Sequence, residues 1–167
     1  MKKDLATIGG LILLIIFILI FGRGFSSGAF LTGPESTRSA AKKGYVRVTA
    51  GDFAVDAKIA QKTNDRKKGL SGQDSLPLSQ GMLFIFEQSG TYPFWMKDMK
   101  FAIDIIWIDQ GKRIVYIAHN AAPQPGEKDS ELTLYRPDSA AKYVLEINAG
   151  LSSLNNLQIG DEVRFEL

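Results

Sequence analysis

Two short apolar runs limit this chain most: residues 82–86, MLFIF, and residues 103–108, IDIIWI. Each is too short for an ordinary helix, so both read as buried strands. Between them, residues 92–100, YPFWMKDMK, set large aromatics beside charges. Function gathers on loops carried by a rigid scaffold, which makes this stretch the candidate recognition surface.

The flanking sequence keeps the same short rhythm. Residues 45–49 and 53–59 alternate apolar and polar around Gly51-Asp52, a β-hairpin pattern. Residues 63–70 read as a helical turn with Thr63 or Asn64 as N-cap and Gly69 as terminator. Asp109 to Lys112 turns the chain into residues 113–118, a hairpin partner for 103–108. Further on, 132–135 reads as a short edge strand, 143–147 as a firmer strand, 151–157 as a short helix and 163–166 as a last strand. About seven short strands with turn signals every ten or so residues imply a mostly β domain. The expected form is a single β-sandwich or partly open barrel with short helical inserts.

Ahead of this pattern the chain changes character. Residues 5–21 carry no charge, and at about 1.5 Å per residue they reach roughly 25 Å, near the lower limit for crossing a bilayer. The run is somewhat long for the apolar region of a signal peptide, although Ser27-Gly28-Ala29 would serve as a cleavage site. Residues 1–22 are therefore expected to be a membrane anchor, with a cleaved signal as the alternative. Residues 23–44, rich in Gly, Ser, Thr and Ala, form a linker, and the β-rich domain occupies 45–167. Basic residues flank the apolar run almost evenly, so orientation rests on the short head staying inside while the long domain is exported. The expectation is a single-pass membrane protein with its domain outside the cytoplasm, or a secreted or periplasmic protein after signal cleavage.

Composition closes off several classes. A net charge of +2 gives no reason to expect nucleic acid as a partner. The absence of cysteine excludes disulfides and thiolate chemistry, and a lone histidine, His119, excludes a His-rich metal site. No phosphate-binding, dinucleotide or hydrolase motif is present, so no cofactor is implied. Asp98, Asp104 and Glu146 lack the spacing of a calcium loop, and no metal is expected.

The candidate ligand-binding residues are Phe94, Trp95, Lys97, Asp98, Asp104 and Arg66. Phe94 and Trp95 would stack a planar or sugar-like ligand or else plug the core; Lys97 and Asp98 would polarise a ligand or form a solvated pair. Asp104 shares a strand face with Ile106 and Ile108 and needs a cation or N–H donors, for which Arg66 is the expected partner. Glu146, between Leu145 and Ile147, raises the same question. These residues suit a non-catalytic module that binds an envelope ligand or protein partner; a small carboxylate-dependent hydrolase or lyase is the alternative.

Several blocks together resemble a known family: Asp65-Arg66 and Gly69-Leu70, Gly81 to Phe86, Phe94 to Lys97, Ile103 to Asp109, Tyr143 to Glu146, Ala149-Gly150 and Gly160-Asp161. They resemble domain of unknown function 192, also called uncharacterised protein family 0127, over roughly 45–167. The resemblance implies a small, mostly β domain, often behind a signal or anchor, and no reaction, substrate or cofactor. The chain departs from the family pattern at Asp65, Ser71, Asp98, Met99, Ala102 and Ile103, and two of these, Asp98 and Met99, lie in the candidate recognition loop.

Overall fold

The computed structural model describes residues 43–167; the expected anchor at 1–22 and nearly all of the expected linker lie outside the described residues. Among the described residues no helix is long and apolar enough to cross a membrane.

The hairpin forms as its alternation predicts. Strands β1 (Tyr45–Ala50) and β2 (Phe53–Ala60) pair antiparallel, and Gly51 at φ 57° supplies the left-handed residue of their two-residue turn. Strand β3 (Gln80–Gly90) then lies beside β2 and runs parallel to it. Parallel neighbours cannot be joined by a tight turn, so residues 61–79 form a crossover, which carries helix α1 (Thr63–Lys68). Strands β4 (Ile103–Ile108) and β5 (Ile114–Ala121) pair antiparallel, and β6 (Ala141–Asn148) inserts between β3 and β4. Helix α2 (Leu151–Leu154) follows.

The order β1-β2-β3-β6-β4-β5 makes one open six-stranded sheet. The expected sandwich is not formed, because there is no second sheet among the described residues. Its sequence signal was genuine: β4 is buried at all six positions, as strands covered on both faces are. Loops cover the second face. The first face packs Val48, Val55, Leu83, Ile106, Ile108, Leu145 and Ile147 into one core. The opposite face packs Phe84, Ile103, Ile105, Trp107 and Val144 beneath Leu70 and Leu76 of the crossover and Met96 and Met99 of the loop before β4.

Residues 160–164 tie the two edges of the sheet. Thr49 of β1 and Arg164 exchange backbone hydrogen bonds of 2.9 and 2.8 Å, while Ile114 of β5 donates to Asp161 at 3.0 Å. The strands expected at 132–135 and 163–166 thus reduce to isolated bridges, Phe94 with Tyr135, Thr49 with Arg164 and Arg113 with Glu162. Two helix details also differ. Lys62, rather than Thr63 or Asn64, caps α1 without a side-chain bond, and α2 stops at Leu154. Gly69 ends α1 at φ 50° as expected.

Candidate ligand-binding cleft

The crossover and the aromatic loop leave an open cleft of about 240 Å³ between them. Buried Leu70, Phe84, Met99 and Glu146 form its depth; Arg66, Lys67 and Lys68 of α1 and Trp95 of the loop stand nearer solvent. Its walls are firmly held. Trp107 Nε1 donates to the Tyr92 carbonyl at 2.9 Å, and Phe94 pairs with Tyr135 through two 2.8 Å backbone bonds. Ser71 Oγ donates to the Lys97 carbonyl at 2.8 Å, and Gly72 N donates to the Asp98 carbonyl at 2.9 Å. Crossover and loop are therefore one hydrogen-bonded unit. Rings line it: Phe86 stacks on Tyr92 with centroids 3.6 Å apart, and Phe94 meets Phe84 edge-on at 4.9 Å.

Glu146 is the most informative group in this cleft. It lies on β6 opposite Met82 of β3 and Ile105 of β4, is 5% exposed, and its Oε2 has no hydrogen-bond partner. Burial pushes its carboxyl up to about 8, because the charged form loses its hydration and gains nothing in return. At neutral pH it is therefore mostly a protonated acid, and its Oε2 meets no protein group. Native structures rarely leave a buried polar group unmatched, and when they do the cause is often functional. Gly81 shares in this placement: a Cβ there would come within 2.7 Å of the Glu146 carbonyl oxygen.

The residues expected to bind are only partly brought together. Phe94, Trp95 and Arg66 line the cleft, with Phe94 half-buried among rings and Trp95 52% exposed. Arg66 donates to the carbonyls of Gln61 and Ile85 and lies over the Phe86 ring at 5.3 Å. Lys97 points elsewhere and pairs with Asp129 rather than Asp98, and that hydrogen bond raises its pKa. Asp98 is an exposed turn residue at φ 54°, a conformation that Asp tolerates better than most.

Asp104 is not Arg66's partner. Fully buried on the opposite face of the sheet, it accepts from Asn120 N at 2.9 Å, Ser152 N at 2.9 Å and Ser152 Oγ at 2.6 Å. His119 Nδ1 lies 2.9 Å from the same Ser152 hydroxyl. A carboxylate satisfied by neutral donors needs no arginine. Sequence reasoning named Glu146 as a question, placed Tyr92 in the recognition loop without a binding role, and left Lys67, Lys68, Phe84 and Phe86 out of the site. Among the described residues no three His, Asp or Glu side chains come together as a metal site would require.

The chain belongs to the DUF192 family, described as "Uncharacterized ACR", whose model matches residues 46–165. A protein of unknown function from Novosphingobium aromaticivorans DSM 12444 superposes with a TM-score of 0.62 at 28% identity, covering 72% of this chain and 83% of that one. A putative transcription regulator from Sinorhizobium meliloti 1021 superposes with a TM-score of 0.64 at 24% identity, covering 72% and 92%, a likeness of fold alone. No curated protein gives a match.

Proposed function

We propose that this member of the DUF192 family is a non-catalytic binding module whose ligand enters the cleft between α1 and the aromatic loop. One observation carries the reading: a buried carboxyl with an unpartnered oxygen lines an open, ring-walled cleft held by rigid loops. Small-molecule sites are commonly such apolar clefts with a few convergent polar groups. The charge-free residues 5–21 support a tether to a cell membrane, with the domain outside the cytoplasm. A hydrolase built on paired acids has less support. Asp104 is spent on Ser152 and Asn120 on the other face, and Glu146 is the only acid lining the cleft among the described residues.

Methionine-methyl NMR of the full-length protein in detergent micelles tests the reading, since Met99 lines the cleft. A charge-balanced fragment library should contain compounds that shift the Met99 signal in the native protein and no longer do so in Glu146→Leu. A library that leaves Met99 untouched would sink the proposal. Sedimentation with membranes that survives high salt checks the tether; a soluble form starting near Phe30 would refute it.

A further inference from the structure

The cleft is lopsided in charge. Arg66, Lys67 and Lys68 line one side, and none of them has a carboxylate partner among the described residues. Arg66 bonds backbone carbonyls and the Thr63 hydroxyl, and Lys67 and Lys68 stand exposed. On the buried side sits Glu146, and the Phe84, Phe86 and Phe94 rings line the same space. With a volume near 240 Å³ the space suits a compact molecule of one or two rings.

We infer that the cleft takes a small organic anion with a flat apolar body, its acidic group among Arg66, Lys67 and Lys68 and a carbonyl-type acceptor meeting the Glu146 carboxyl. The inference rests on the binding reading above and adds the ligand's chemistry. A cationic ligand is the rival, because it would pair with an ionised Glu146. It would also bring a positive charge beside three unbalanced cations, and one carboxylate offsets only one of them. An anion meets attraction at the rim and a free donor within. The titratable groups sharing the cleft with Glu146 are Arg66, Lys67, Lys68 and Tyr92; Met82 and Ile105 beside it carry no charge.

Three matched probes decide it on the full-length protein: para-acetylbenzoate, para-isopropylbenzoate, which lacks the acceptor, and para-acetylbenzylamine, which inverts the charge. Met99 shifts at mildly acidic pH should give para-acetylbenzoate an affinity about tenfold above the amine and several-fold above the isopropyl analogue. That affinity should fall as pH rises through about 8, where Glu146 loses the proton it donates. Glu146→Gln keeps an N–H donor, so it should retain the acceptor preference and lose the pH dependence. Lys67→Glu with Lys68→Glu, both on the exposed face of α1, should abolish the preference for the acid over the amine. An amine that binds as tightly as the acid, or affinity that climbs with pH, overturns the inference. If other fragments shift Met99 while the benzoates do not, the ligand class is wrong and the cleft remains a site. If no fragment does, the binding reading itself fails.

Discussion

Asp104 and Glu146 stand almost side by side, since β4 pairs Asp104 with Ile147 and Ile105 with Glu146, yet they face opposite sides of the sheet. Both are buried carboxyls in apolar strands. Asp104 receives three hydrogen bonds that join β5 and α2 to β4. Glu146 leaves one oxygen with none and faces an open cleft. Buried charge by itself therefore says little about function. The number of donors that meet it separates a structural clasp from a candidate binding group.

The largest effect expected from this contrast is on stability. Asp104→Ala should cost about 4 kcal/mol, because it strands the buried Ser152 N–H, takes the acceptor from the part-buried Asn120 N–H and opens a gap in the interior. Glu146→Leu should be neutral or stabilising, since it removes an unmatched polar group. Chemical denaturation of both variants checks the pair, and similar losses in the two would break the comparison.

The next effect is a pH profile. Glu146 has a folded pKa near 8 against an ordinary value of 4.5, so the folded state holds the proton that the unfolded state has released between them. The stability it contributes is complete below 4.5 and is lost as pH rises toward 8. Glu146→Gln should match the native protein near pH 4 and exceed it by about 3 kcal/mol at neutral pH. Parallel denaturation profiles for the two proteins would show that Glu146 has a partner after all.

The smallest effect is a coupling. Arg66 and Asp104 lie on separate networks, so Arg66→Ala and Asp104→Asn should add to within about 0.5 kcal/mol. A larger interaction in the double variant would restore the ion pair expected from Asp104's place on an apolar strand face.

Local structure was readable where period and turn chemistry agreed, as in the hairpin at Gly51 and the apolar run that became β4. The layering was not readable. Burial on both faces looks the same in sequence whether a second sheet or a pair of loops provides the cover. The crossover was hidden as well, because nothing in residues 61–79 announces that β2 and β3 will be parallel. Asp104's partners escaped for a related reason: Ser152 lies 48 positions away and carries no charge to mark it. Phe94, Trp95 and Arg66 could be chosen because rings and charge stand out in sequence. Lys67 and Lys68 looked like any solvated helical turn, and the missing partner of Glu146 is a property of the folded state alone.

The strip at residues 160–164 bears on the order in which the sheet can be completed. Until it docks, β1 and β5 both present open backbone edges, the surface on which strands from other chains add. Most of the sheet can pair earlier, so the nascent domain spends its last interval nearly complete and unguarded at two places at once. A single late segment then bridges both edges, at Thr49 and at Arg113 to Ile114.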